Sequence, residues 1–472
     1  MSRATDPQVS FADLAFIEQG VQLEPTLKAI AAFLDTHASL VDGVRRDLAQ
    51  GLKKPTTGRN GVTAPQVLRS LILMRVKNWD YRELRERIAD GYTLRHFTHF
   101  ESQRVPKHDA FNRAFNRLTP ATLQAVNDAV IQAAVDLGLE NGTKLRVDTT
   151  VVETDIHHPT DNTLLWDSVR VITRLVRQLD DLLPAGVGPF TNRTRAARRR
   201  MHEIQRMTAR ERHTQQVPTY RALIRVAEQV VTEARAVVKR TRPAGDLLTR
   251  LAIEARQREI MRHCELADRV ISQTRRRVLQ GEQVPTDEKI YSIFETHTDL
   301  IKRGKILKPV EFGHKVFLAE SGCGLITQYR VLTGNPADQG HVTPSLDCHA
   351  ECFGHAPDLY SSDRGFFNEA NLDACQMAGV TLTCIPQSGG TRSADREALE
   401  KSRAFKRGQR FRAGIEGRIS VLFRGRGMKR ALVEGREHFE LLVGAAVLAN
   451  NLMVIANLLR RKPGRRRRPA AA

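Results

Sequence analysis

The residue pattern predicts an α/β protein with an all-α N-terminal domain and a long helical insertion after the first strand. Three observations carry this reading. Residues 144–153, Lys-Leu-Arg-Val-Asp-Thr-Thr-Val-Val-Glu, are β-branched and apolar, as a buried strand requires. Apolar residues recur at helical spacing through 1–140 and again through 164–282. After residue 357, short strand signals alternate with helical ones, as in a layered sheet.

In the N-terminal part, Thr63-Ala64-Pro65 opens a helix through Val67, Leu68, Leu71, Ile72 and Val76 that halts at Asn78-Trp79-Asp80. Asp80 with Glu83 has capping spacing and starts a second helix through Leu84 and Ile88, ending at Gly91. A third follows Pro106, with Phe111, Phe115 and Leu118 on one face and Asn112, Arg113 and Arg117 on another. Thr119-Pro120 then caps a helix running to Gly138. Short helices joined by tight turns fit a helix-turn-helix-like bundle that reads DNA, and equally a packing or dimerisation bundle.

Within 164–282, breaks at Leu183-Pro184-Ala185-Gly186 and Pro243-Ala244-Gly245 leave an antiparallel pair, 219–241 and 246–280, rich in Arg. Such a pair is either a DNA clamp or a solvated hairpin. Further strands are expected at 289–295, 315–319, 325–332, 357–361 and 380–385, with helices at 340–354, 366–378 and from 393 onward. The expected divisions are 1–140 (helical), 141–163 (first strand), 164–282 (insertion), 283–460 (remaining α/β part) and 461–472, a basic disordered tail.

A formal charge of +21 and a pI near 10.2 call for a polyanionic partner, nucleic acid before an anionic membrane surface. The basic residues cluster at 195–213, 401–430 and 460–468. Six unevenly spaced cysteines do not suggest a disulfide framework, and the N-terminal residues lack the apolar core of a signal peptide. Both facts fit a reducing cytoplasm. Leu441–Leu459 has the length and basic flank of a membrane span, but Asn450, Asn451 and Asn457 inside it favour a core helix and no membrane association.

Between Lys401 and Arg430 stand eleven Lys or Arg and a single acid, Glu416. One carboxylate inside a strongly basic segment suits a residue holding a divalent cation beside a polyanion. Its partners would be Asp148, a charge inside an apolar strand, and Asp363, where the strand ending Tyr360-Ser361-Ser362 gives way to Arg364-Gly365. Three such carboxylates can hold two Mg²⁺ ions roughly 3.5–4 Å apart, activating an attacking oxygen and stabilising a leaving one. Singly, each is more often a cap or an ion-pair partner.

Other constellations are weaker. Glu153, Asp155 and Asp161 are possible neighbouring ligands, and His157-His158-Pro159 is a loop after the strand, near the scissile phosphate on a catalytic reading. Cys348, Cys352, His349 and His355 crowd one short helix without a second Cys/His pair, which favours buried cysteines over zinc. Asn335-Pro336-Ala337-Asp338 reads as a turn with Asp338 starting a helix. Arg364 either orients Asp363 or touches phosphate. Gly389-Gly390-Thr391-Arg392 is too short for a nucleotide loop.

The order Asp148, Asp363, Glu416 resembles the DDE transposases of bacterial insertion sequences, whose catalytic domain is RNase H-like. The segment around Glu416 is similar to the signature Tyr-(2)-Arg-(3)-Glu-(6)-Lys of that superfamily. Arg412 and Glu416 take the Arg and Glu places, while Gln409 and Phe423 stand at the Tyr and Lys places, with Arg424 beside the latter. Similarity to the ISNCY group extends to Val147–Glu153, Pro309–Lys315 and Gly334–Asp338, and Val67–Leu118 resembles the helical transposase N-terminal domain.

The resemblance implies an RNase H-like catalytic core that uses Mg²⁺ (or Mn²⁺) to cleave insertion-sequence ends and join them to target DNA. It implies Asp148, Asp363 and Glu416 as catalytic and metal-binding residues, and a homodimer or higher assembly on double-stranded DNA. Arg412, Arg410, Arg418 and Arg424 are the expected DNA contacts. The long helical stretch departs from many relatives, which place their insertion between the second Asp and the Glu. A protein neutralising six to ten phosphates is expected to lose roughly 10³–10⁵ in DNA affinity between about 50 and 200 mM salt, and a salt titration of duplex binding checks this.

Overall fold

The computed structural model describes residues 2–3, 22–52, 59–302 and 309–461; residues 462–472, most of the expected basic tail, lie outside them. The chain forms two compact units, Met1–Glu153 with His314–Ala472, and Thr154–Gly313. The two units divide the chain at 153 and 313.

In chain order the helices are α1 Pro25–Thr36, α2 Asp42–Ala49, α3 Ala64–Lys77, α4 Tyr81–Asp90, α5 Tyr92–Phe97, α6 His108–Phe115, α7 Pro120–Asp136 and α8 Asp161–Asp180. They continue with α9 Thr194–Arg206, α10 Ala209–Arg240, α11 Leu247–Thr274, α12 Val342–Phe353, α13 Glu369–Met377, α14 Ala394–Lys401, α15 Arg403–Gly425 and α16 Arg436–Arg460. The strands of the seven-stranded sheet are β1 Lys144–Thr154, β2 Asp299–Lys302, β3 Val310–Ser321, β4 Ile326–Val331, β5 Leu359–Ser361, β6 Leu382–Cys384 and β7 Arg430–Ala431.

In the first unit, the N-terminal helices start and stop where local chemistry dictates. Thr63 and Gln66 form a reciprocal capping box at the start of α3, and Asn78 ends that helix in a left-handed conformation (φ 55°). The Asp80 carboxylate then accepts the Arg82 and Glu83 backbone N–H groups, both at 2.8 Å, and starts α4.

These helices do not build a core of their own. Leu27, Ile72, Leu84, Phe111 and Val130 share one cluster with Leu448, Leu452 and Ile455 of α16. That helix has a mean hydropathy of 1.9 over its most apolar window, 78% of which is buried inside the protein. Asn450 and Asn451 have internal partners, while Asn457 is exposed. Asn451 Oδ1 accepts the Ile326 N–H at 2.8 Å, and its Nδ2 donates to the Ile326 carbonyl and to Asn127 Oδ1, each at 2.8 Å. A side-chain amide thereby satisfies main-chain groups at the start of β4.

The sheet of this unit runs β4-β3-β1-β5-β6, with β7 beside β1. β3 and β4 are antiparallel, with Val316 opposite Val331; β1 with β5 and β5 with β6 are parallel. Alternation splits the sheet into two faces. Val152, Val316 and Leu318 pack with Leu422, Phe439 and Val443, while Leu145, Val147, Phe317 and Ala319 pack with Leu346, Tyr360 and Phe366. The result is an α/β fold with a mixed sheet.

Helix α15 is seated on the first of these faces by a buried ion-pair network. Arg146 donates through Nε and Nη2 to the two oxygens of Glu320, each at 2.8 Å, and Glu320 is fully buried. Arg418 of α15 donates to Glu320 Oε1 at 3.0 Å and to Asn450 Oδ1 at 3.1 Å. Arg146 also donates to the Phe411 carbonyl at 2.5 Å and stacks on the Phe411 ring at 4.7 Å. A Cβ at Gly414 would collide with that guanidinium, and one at Gly408 with Cys384, so both positions demand glycine for close approach.

The second unit packs α8, α9, α10 and α11 around Leu165, Ile172, Leu223, Val230 and Ile260. The long antiparallel pair is present as α10 and α11. β2 pairs antiparallel with Val310–Gly313.

One strand expectation fails. Residues 289–295 form bends and irregular backbone, not a strand. Ile290 and Ile293 are buried in the helical core, and Gln273 takes up the Ile290 N–H at 2.9 Å and its carbonyl at 3.3 Å. Ser292 Oγ accepts the Phe294 and Glu295 N–H groups, both at 3.1 Å. Apolar residues flank main-chain groups already paired with side chains, so no ladder forms.

Replacing Glu320 by Ala leaves Arg146 and Arg418 without their shared acid, an expected loss of about 3 kcal/mol in stability, measured by chemical denaturation.

Candidate active site

β1 emerges from the sheet centre with its even-numbered side chains toward α15, which is why Arg146 and Asp148 both meet that helix. Asp148 is nearly buried; its Oδ1 accepts the Thr149 N–H at 2.8 Å and its Oδ2 accepts from Arg412 Nη2 at 2.9 Å. Asp363 follows β5, caps the short turn Arg364–Phe366 by accepting the Gly365 N–H at 2.8 Å, and places Oδ2 3.6 Å from the same Arg412 Nη2. Glu416, one helical turn beyond Arg412, accepts from Nη1 at 3.0 Å and is 68% exposed. The three carboxylates singled out in the sequence thus meet one guanidinium.

The other residues singled out in the sequence take separate places. Arg410 and Arg424 are exposed, and Arg424 bonds Ser420. Arg418, expected on DNA, is directed inward to Glu320 and Asn450, because a buried carboxylate on β3 needs a second cation. Gln409, at the Tyr place of the signature, donates to the carbonyls of Ser362 at 3.2 Å and Cys384 at 2.6 Å, tying α15 to the ends of β5 and β6. Phe423, at the Lys place, packs on the apolar cluster under α16.

Asp161 is buried and paired with Arg277 at 2.8 Å, which accounts for it structurally. His157 lies 3.4 Å from Asp167 in the same unit. The His349 ring bonds the Gly142 carbonyl at 2.9 Å, and His355 bonds those of Asn141 and Ala356. Arg364 is exposed.

No family model, curated protein or solved structure matches the chain. The site is therefore read from its own chemistry.

A fourth acid, Asp338, belongs to the neighbourhood. Its Oδ1 accepts from Thr149 Oγ1 at 2.9 Å and pairs with Lys315 Nζ at 2.8 Å. A Cβ on Gly365 would stand 3.0 Å from Asp363 Oδ1 and 3.2 Å from Asp338 Oδ2, so glycine there lets the two acids approach. In the sequence Asp338 reads as the start of a helix after a turn, and a short 3-10 helix does begin there. The available signal was Lys315, a charge inside an apolar strand that had to find a partner.

Asp148, Asp363 and Glu416 carry three negative charges against the single positive charge of Arg412. The surplus matches a divalent cation, and all the donors are hard carboxylate oxygens of the kind Mg²⁺ prefers. By composition the donor set fits such an ion. By arrangement the carboxylates converge on the guanidinium: among the described residues, no three His, Cys, Asp or Glu are grouped to hold a metal.

Burial pushes the Asp148 carboxyl up to about 6; Arg412 opposes the rise, and Asp363 and Asp338 add to it. With a folded-state value above the unfolded one, the native state binds the extra proton between about pH 4 and 6, so stability falls as pH rises through that window. Asp148→Asn removes the dependence. In EDTA, its melting temperature relative to the parent is expected to climb as pH goes from 4 to 8, on the order of 2 kcal/mol in stability.

Proposed function

We propose that this protein is a DNA strand-transfer enzyme of the DDE transposase type with an RNase H-like core. The observation that carries the reading is the meeting of Asp148, Asp363 and Glu416 at Arg412, from a central strand, the end of the adjacent parallel strand and a basic helix. The strand order, with β1 between an antiparallel pair on one side and parallel β5 and β6 on the other, supports an RNase H-like arrangement. The exposed Arg403, Lys406, Arg407, Arg410 and Arg424 on α15 support a nucleic-acid partner.

In the proposed reaction, water attacks the phosphodiester at the element end. A new P–O bond forms, the P–O3′ bond breaks, and a 3′-hydroxyl is freed. That hydroxyl then attacks a target phosphodiester, forming one P–O3′ bond and releasing a target 3′-hydroxyl. Held by Asp148, Asp363 and Glu416, Mg²⁺ or Mn²⁺ would neutralise phosphate charge and lower the pKa of the attacking oxygen.

The chain's own residues do the rest. Gln409, Arg146 and Arg418 keep α15 in register with the strands, Arg412 offers a forked donor to a phosphate oxygen, and the exposed arginines hold the backbone. Assembly of at least a dimer on two DNA ends, and a cytoplasmic place of action, belong to the same proposal.

A second reading, a DNA-binding protein without catalysis, is favoured by one observation: a guanidinium stands among the carboxylates. Incubation with Mn²⁺ and duplexes carrying the sequences that flank the coding region separates the two. Cleaved and joined products, reduced by about 10³ or more in Asp148→Asn, Asp363→Asn and Glu416→Gln, are the expected result. Tight binding without cleavage supports the second reading, and cleavage without joining marks a nuclease of the same fold.

A further inference from the structure

Arg146, Arg418 and Arg412 all meet acids on this face of the sheet, and Arg146 and Arg412 do so differently. Arg146 grips Glu320 in a two-pronged fork at 2.8 Å and 2.8 Å, with the acid fully buried. That is the geometry in which a guanidinium binds a carboxylate permanently. Arg412 has no such fork. It touches three carboxylates one oxygen at a time, at 2.9, 3.0 and 3.6 Å, and the last exceeds hydrogen-bond length. Its Nε is buried without a hydrogen-bond partner, and two of its three acids are substantially exposed, Asp363 at 38% and Glu416 at 68%.

We infer that Arg412 is a positioning residue that acts as an internal place-holder for the cation: it holds Asp148, Asp363 and Glu416 together and is exchanged for a divalent ion when a phosphate takes the guanidinium away. The inference rests on the reading of these acids as a metal site. Three acids left close together without a cation would repel one another, and one of them is nearly buried. A single guanidinium spanning all three removes that repulsion. The same group excludes a divalent ion by like charge as long as it stays.

A DNA phosphate is the competing acceptor that relieves this. Arg412 lies on the helix that carries exposed Arg407 and Arg410, so a bound backbone comes within reach of its guanidinium. Metal affinity and DNA affinity are then linked. Because linkage is reciprocal, the duplex strengthens metal binding by the factor by which metal strengthens duplex binding.

The test measures Mn²⁺ binding by electron paramagnetic resonance in the full-length parent, Arg412→Gln, Arg412→Met and Asp148→Asn, each with and without a plain duplex. Without DNA, removal of the charge is expected to tighten Mn²⁺ binding by about tenfold or more. In the parent, duplex is expected to tighten it, and in the two Arg412 variants that gain is expected to vanish.

Binding that depends on Asp148 yet is unchanged or weaker in both variants overturns the place-holder while leaving the metal site standing. If no protein binds Mn²⁺ better than Asp148→Asn does, the inference and the metal reading fall together. Loss of the thermal transition in both variants also overturns it, since an exchangeable cation must leave the fold intact.

Discussion

The site depends on one buried carboxylate. Glu320 is fully buried near the end of β3, and its two oxygens are shared between Arg146 on the neighbouring strand and Arg418 on α15. A lone ionised acid at that depth would be prohibitive, and a pair would leave lone pairs unused. Two arginines from two elements satisfy it and in doing so set the rotation and height of α15 over the strands. Gly408 and Gly414 let the helix sit low enough for this, and Gln409 locks its near end to the carbonyls of Ser362 and Cys384. The position of Arg412, six residues before Arg418 on the same helix, follows from that seating.

This division of labour explains why one basic helix carries cations with opposite duties. Arg418 is consumed inside the protein, Arg410 and Arg424 face outward, and Arg412 stands between. The sum of positive charge along 401–430 therefore overstates what is available to a polyanion. Burial and partner, not count, decide what each arginine does.

Much of this was legible in the chain. The β-branched run at 144–153, the halts at Asn78 and Gly91 and the alternation after 357 each have a local cause, so β1, the edges of α3 and α4, and β5 and β6 fall close to their expected places. Asp148, Asp363 and Glu416 could be grouped because a charge in an apolar strand, an acid at a strand end and an acid in a basic run are each locally anomalous. What was not legible depended on distant partners. Nothing near Glu320 in sequence announces Arg146 or Arg418, Lys315 signals a missing acid without saying that it is Asp338, and Arg418 looks like any surface arginine until Glu320 is placed beneath it. The failed strand at 289–295 has this origin in part: the Ile290 main-chain groups are claimed by Gln273, distant in the chain, while Ser292 takes up Phe294 and Glu295 locally.

The sharing of one apolar core between the N-terminal helices and α16 has a consequence for how the molecule comes into being. Leu27, Leu84 and Phe111 leave the ribosome long before Leu448, Leu452 and Ile455, so the first helices wait with part of their apolar surface uncovered. The same late helix supplies Asn450 to Arg418 and Asn451 to the first residue of β4. Until α16 is synthesised, neither the bundle nor the seat of α15 is complete. A nascent chain therefore carries Asp148 for nearly three hundred positions without a finished centre, and the centre closes only once α16 has followed.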